Sequence, residues 1–278
     1  KNITKIIMVK NSSSSNNNLI VKNTAFLYFR MLFSMGITLY TSRLILTILG
    51  IDDFGIYNVI GGMVSMFLFL NTAMSSATSR FLTFEIGKRE KSEISKVFSV
   101  SLTTHLIIIA IIFVLCESIG VWFLNSKMII PEDRVYAANI VLQTSIAASL
   151  INIIQVPYRA IVVSYEKMDM YAYIEIFNVV SKLLIAIALI YTTYDKLITY
   201  SYLYLVTCVV VFLIYAVYAN FRCVGANFSP KLDKDILKPM LTFTGWDFYG
   251  NASVVARTQG VNMLLNIYFG PVLNAANG

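Results

Sequence analysis

The sequence predicts an all-α polytopic membrane protein with about seven transmembrane helices, and three observations carry that reading. Of the 278 residues 57% are hydrophobic and only 13% are charged, against the roughly 25% charged expected of a soluble domain. The apolar residues come in blocks about as long as the roughly 20 residues that cross a ~30 Å hydrocarbon core as helix. They lack the period that would leave each helix one wet face. Most of the charge sits in the short polar stretches between blocks. Barrel strands are excluded, because they need only about ten residues and alternate in polarity.

Residues 1–23 are polar and end in the low-complexity run NSSSSNNN, with too little apolar surface to fold, so a disordered tail is expected. Met8 inside it could mark the true start. Seven spans follow at 24–49, 56–82, 97–124, 135–156, 170–193, 197–220 and 239–269, the last being the least apolar. No signal peptide precedes them, so the first span itself directs insertion.

Lys and Arg set the orientation. The tail (Lys1, Lys5, Lys10, Lys22) and the even-numbered connections (Lys88, Arg89, Lys91, Lys96; Arg159, Lys167; Arg222, Lys231, Lys234, Lys238) hold most of the 22 cations, whereas the odd connections hold only Lys127, Arg134 and Lys196. The N-terminus is therefore expected in the cytoplasm and residue 278 on the outer side. The net charge of +7 follows from this topology, and no basic motif points to nucleic acid. The three cysteines, Cys116, Cys208 and Cys223, have unrelated spacings and imply neither a disulfide framework nor a metal site.

Five cations remain within or at the edges of spans, namely Arg30, Arg43, Arg80, Lys182 and Arg257, against the acids Glu117, Glu175 and Asp247. A charge at the bilayer centre costs at least about 2.5 to 3.5 kcal/mol, so each must snorkel, pair or face a wet cavity. Arg30 and Arg80 lie within about two turns of cytoplasmic helix ends and can snorkel. Arg43 lies in the outer third of span 1, on one face with Phe29, Gly36, Tyr40 and Thr47, where a cavity role is expected. Lys182 follows Glu175 and Asn178 on one face of span 5, giving either a polar cluster or a pair that fixes packing. Arg257 is flanked by Gly250, Ser253 and Gly260, which would let backbone or ligand approach. In span 2, Asn58, Ser65, Thr72 and Ser79 recur every seven residues, a stripe suited equally to close helix packing or to a water-lined wall. Span 7 is polar nearly all round. His105, the single histidine, has no ligand partners at metal spacing, and Glu117 sits near the outer interface. No P-loop, nucleophile-base pair or diphosphate-binding acidic motif is present, so neither an enzyme nor a cofactor is expected.

Three segments carry a family resemblance. Thr41 to Gly62, TSRLILTILGIDDFGIYNVIGG, resembles a signature at the first outer turn of bacterial polysaccharide flippases. Pro157 to Ile176, PYRAIVVSYEKMDMYAYIEI, is similar to their cytoplasmic segment between spans 4 and 5, and LLNIYFGPVLNAANG to their start of span 8. These are the Wzx-type lipid-linked oligosaccharide (O-antigen) flippases of the multidrug/oligosaccharidyl-lipid/polysaccharide (MOP) superfamily.

The resemblance implies two six-helix lobes around a central cavity in a transporter of 12–14 helices. On that pattern residues 24–220 are the first lobe, 221–238 the cytoplasmic connection, and 239–278 the first span and outer turn of a second lobe that continues beyond this chain. It implies the bacterial inner membrane and a cargo of undecaprenyl-diphosphate-linked oligosaccharide repeat units. That cargo would pass from inner to outer leaflet by alternating access, for lipopolysaccharide, capsule or exopolysaccharide synthesis. The partners implied are that cargo, membrane lipids, a polysaccharide polymerase and glycosyltransferases. Arg43, Lys182 and Arg257 are expected to attract the diphosphate, Arg30 and Arg80 to line the cytoplasmic entrance, and Asp247 or Glu175 to carry a coupling charge. The alternatives are a multidrug or cation exporter of the same superfamily and a seven-helix receptor or scaffold without transport activity.

Overall fold

A computed structural model describes residues 2–67, 69–88, 91–126, 128, 130–227, 229, 233–247, 249, 250 and 253, without side-chain detail for 2–20, 22, 23, 65–67, 69–72 and 91. Its elements are helices throughout: α1 (Asn2–Phe67), α2 (Phe69–Lys88), α3 (Lys91–Leu115), α4 (Val121–Ser126), α5 (Val135–Ser164), α6 (Met168–Ile190) and α7 (Lys196–Arg222), then α8 (234–247). Among the described residues five stretches are long and apolar enough to cross a membrane, Thr24–Val64, Ser92–Ser126, Glu132–Ser164, Met168–Ile190 and Lys196–Arg222. The chain is a multi-pass membrane protein.

α1 is two helices joined at Gly50, where φ is 81° and ψ is 174°. Only glycine adopts that conformation readily, and it turns the chain back between the first and second predicted spans. The limb after Gly50 ends at Phe67, and α2 resumes at Phe69. α2 is not among the five spans: Asn71, Arg80 and Glu85, with its Ser and Thr residues, lower its hydropathy. It is sheltered by protein: Ala73, Met74, Ala77, Thr78 and Leu82 are buried, and Thr78 Oγ1 lies 2.8 Å from Ser101 Oγ on α3. The third predicted span is α3 and α4 joined by a single π-helical turn, Cys116–Gly120.

Two helices extend past the boundaries read from the sequence. α1 begins at Asn2, within the stretch expected to be a tail. The fourth span does not stop at 156, because α5 runs through Pro157 to Ser164. The proline removes one backbone donor there, while the buried packing of Ala160, Ile161 and Val162 holds the helix beyond it. Of the last predicted span, residues 248, 251, 252 and 254–269 lie outside the described residues, as do 270–278 after it.

α5 is the axis of the bundle and packs against α1, α2, α3, α6 and α7. Its small residues Ala137, Ala138, Ala148, Ser149 and Ala160 are buried, which lets neighbouring backbones approach, the usual source of helix association in lipid. One core cluster, with Leu82, Phe98, Ile161, Ile174 and Tyr215, fills the end where the even connections gather. A second, with Ile60, Ile112, Leu142, Ile146 and Leu197, fills the other. Outward-facing Ile111, Phe113, Val114, Leu184, Val206, Leu213 and Val217 are exposed, as a lipid-facing surface requires.

The two ends are tied differently. At the odd-connection end, Arg134 pairs through Nη2 with buried Asp53 and through Nη1 with Asp195, joining the first, third and fifth connections. Asp195 also caps α7, accepting from Ile198 N at 3.0 Å. At the even-connection end Tyr165 Oη donates to Val224 O at 2.8 Å, and Ser95 and Ser99 donate to Asn227 O. Gly225 has φ 89°, and a Cβ there would lie 2.7 Å from Ile94 Cγ2, so both conformation and space require glycine. The neighbouring Cys223 thiol, just past α7, is pushed up to about 11 by burial, with Lys167 acting weakly the other way.

Candidate functional site

The limb of α1 before Gly50 packs along α6. Phe26 meets Tyr173 with ring centroids 5.9 Å apart. Arg30 Nη1 donates to Tyr171 Oη at 3.1 Å, and the guanidinium lies 4.9 Å from that ring's centroid. Arg30 and Tyr171 are 141 residues apart. The two helices run parallel, so the same offset sets Ser34 level with Glu175 and Thr41 level with Lys182. The contact is a polar seam, with Arg30, Ser34, Thr38 and Thr41 recurring on one face at helical spacing. Among the described residues, Arg30 Nε, Ser34 Oγ and Thr41 Oγ1 are buried there without a hydrogen-bond partner. Thr41 as a whole is only 6% exposed.

The seam opens into a cavity of about 180 Å³ whose lining includes Thr38, Thr41, Ser42, Asn58, Lys182 and Tyr200. Lys182 Nζ lies 5.3 Å over the Tyr204 ring. That ring stacks on Tyr200, which meets Tyr57 edge-on at 5.0 Å. An ammonium over an aromatic face is stabilised by up to about 2 kcal/mol when desolvated, so the tyrosine ladder gives the Lys182 side chain a favourable contact inside the lobe. No carboxylate is among the lining residues.

Of the expected anion-binding residues, Lys182 is thus in a cavity, Arg43 is exposed on α1, and Arg257 lies outside the described residues. Arg43 does not enter the Lys182 cavity. The face that does is Thr38, Thr41 and Ser42. The expected pairing of Lys182 with Glu175 is not formed: among the described residues no ion pair joins them, and Glu175 Oε1 instead accepts from Tyr215 Oη at 3.1 Å. Of the seven-residue stripe, Asn58 joins the Lys182 cavity, Ser79 lies at the other end of span 2, and the side chains of Ser65 and Thr72 are outside the described ones.

Arg80 and Ser79 line a second, larger groove of about 1020 Å³ with Phe81, Phe84, Lys238 and Trp246. Arg80 packs 4.5 Å over Phe243 of α8. Ser79 O accepts from Ser164 Oγ at the end of α5, which sets Arg80 level with the even-connection end, where an entrance is expected. Asp247 follows on α8. His105 is buried and meets Ser101 O through Nδ1 at 2.8 Å. Among the described residues no group of His, Cys, Asp or Glu could hold a metal. The three cysteines are free and buried.

Sequence reasoning missed the Ser34, Thr38, Thr41 face and the Tyr200, Tyr204 ladder. Both were signalled by i, i+3 and i, i+4 spacing, but hydroxyls in apolar blocks carry a weak signal beside a charged neighbour such as Arg43.

No protein-family model and no curated protein matches the sequence. The fold has clear likenesses among solved structures. A MATE in its straight conformation superposes with a TM-score of 0.75 at 17% identity, covering 92% of this chain and 58% of that one. An outward-facing multidrug resistance MATE family transporter of the MOP superfamily gives 0.72 at 18% identity, over 90% and 56%. A MOP superfamily transporter from Pyrococcus furiosus, described by a reversed polarity of its binding pocket that suggests a different function, gives 0.71 at 17%, over 90% and 56%. The chain shares the fold of MOP-superfamily transporters and spans little more than half the length of those it matches.

Proposed function

We propose that the chain is part of a transporter that flips lipid-linked oligosaccharides, carried on undecaprenyl diphosphate, across the bacterial inner membrane. The observation that carries this reading is Lys182, a cation held inside the lobe in a hydroxyl-lined cavity without a carboxylate. A diphosphate brings several negative charges, and a low-dielectric surround strengthens its attraction to such a cation well above the value in water. Arg43, exposed on α1, and Arg257 are the further candidates for attracting it. Arg30 and Arg80 are the candidates for a cytoplasmic entrance, Arg80 in a groove that Lys238 also lines. Glu175, held by Tyr215, and Asp247 are the candidates for a coupling charge. Polymerase and glycosyltransferases of the same polysaccharide are the partners such a cargo requires.

A multidrug or cation exporter is the second reading, favoured by the fold's likeness to multidrug resistance transporters. It calls for acids facing the cargo, which the Lys182 cavity lacks. Likeness to transporters over about nine-tenths of the chain favours a transport role over a receptor or scaffold.

The test is Arg43→Ala, Lys182→Ala and Arg257→Ala in the chromosomal gene, scored by surface polysaccharide at matched protein levels. Loss in these strains without a change in drug efflux is expected. Normal polysaccharide in all three would rule out the cationic mechanism, and a selective loss of drug efflux would favour the exporter.

A further inference from the structure

We infer that the cavity around Lys182 is a binding site for a small inorganic anion, of which chloride is the commonest in solution. Three independent observations converge there. Lys182 brings a formal charge to a cavity whose other polar lining is hydroxyl and amide: Thr38, Thr41, Ser42, Asn58 and Tyr200. Hydroxyl and ammonium groups donate hydrogen bonds to an anion, and with no carboxylate in the lining the cavity offers a metal cation only neutral oxygens beside a repelling ammonium. Thr41 Oγ1 is buried without a partner, in a residue 6% exposed. An unsatisfied buried hydroxyl costs about 1–3 kcal/mol, so a partner that accepts from it is favoured.

Volume narrows the class. A cavity of about 180 Å³ has room for roughly six waters at ~30 Å³ each. It takes a halide with part of its hydration shell, but not a diphosphate together with its sugar. Buried Ser34 Oγ and Arg30 Nε also lack partners among the described residues and extend the line of donors toward Tyr171.

This deepens the proposed function, because it makes the cavity occupied when no cargo is near, but it stands on geometry that does not require that function. The test uses the protein purified with its whole chromosomally encoded chain. Bromide replacing chloride in crystals is expected to give an anomalous peak beside Lys182, and melting temperature is expected to be higher in chloride than in gluconate. Lys182→Met should abolish both effects and Lys182→Arg should keep them, while Thr41→Val should weaken halide affinity roughly tenfold. Absence of the bromide peak, or equal melting in chloride and gluconate, overturns the inference whatever the polysaccharide assay gives. Halide binding that persists when polysaccharide export is unaffected by Lys182→Ala would uphold the anion site and remove Lys182 from the cargo path.

Discussion

The Arg134 clamp and the α1–α6 seam are both polar regions of a protein otherwise built of apolar helix, yet they are finished in opposite ways. At the clamp Arg134 satisfies Asp53 and Asp195 together, and Asp195 uses its other oxygen to cap α7. Along the seam Arg30, Ser34 and Thr41 each leave a buried polar atom without a partner. A satisfied network fixes one geometry and serves the scaffold. An unsatisfied one retains hydrogen-bonding capacity. The difference separates polar residues closed into the scaffold from those with donors or acceptors to spare, which composition alone could not do.

Substitutions should divide along that line. The largest loss of stability is expected from Arg134→Ala, which leaves Asp53, 5% exposed, without its partner. Removing a charged hydrogen-bond partner costs about 1.5–3 kcal/mol per bond, so the melting temperature in detergent should fall by several degrees, with Arg134→Lys in between. Unchanged melting would dissolve the distinction from the scaffold side. Gly50→Ala should come next, at about 2 kcal/mol for the forced backbone conformation. A Cβ there meets nothing within 4 Å, so the loss is one of conformation and larger side chains should add little to it.

The seam should behave in the reverse manner. Thr41→Val removes a buried hydroxyl that has no partner in the unliganded lobe, so stability in gluconate should hold or rise by up to about 1 kcal/mol while function falls. A loss as large as that of Arg134→Ala would mean that the seam is scaffold as well. The smallest effect concerns Cys223 near the other end. With its thiol pushed up to about 11, the thiolate fraction at pH 7 is roughly one in ten thousand. Maleimide labelling of the native protein should be slow and should accelerate as pH rises. Rapid labelling at pH 7 would show that the ties around Gly225 open readily.

The bundle was legible in the sequence because block length and the distribution of Lys and Arg report directly on lipid and topology. Boundaries were less so, since the fourth span was expected to end at 156 although packing carries the helix of α5 to Ser164. The site was half legible. Lys182 stood out as a charge in an apolar block, and Asn58 as part of a stripe. Their meeting with Thr41 and Tyr200 depends on helices far apart in sequence, and so does the diversion of Glu175 to Tyr215. Arg43 attracted attention by its charge alone, while the hydroxyls one face away line the cavity.

The account rests on a functional positive charge at position 182, and charge replacement tests it most directly. Surface polysaccharide should be measured in strains carrying Lys182→Ala and Lys182→Arg at matched protein levels. The account predicts at least a tenfold loss with alanine and substantial retention with arginine. Polysaccharide at the unmodified level in the alanine strain would contradict it.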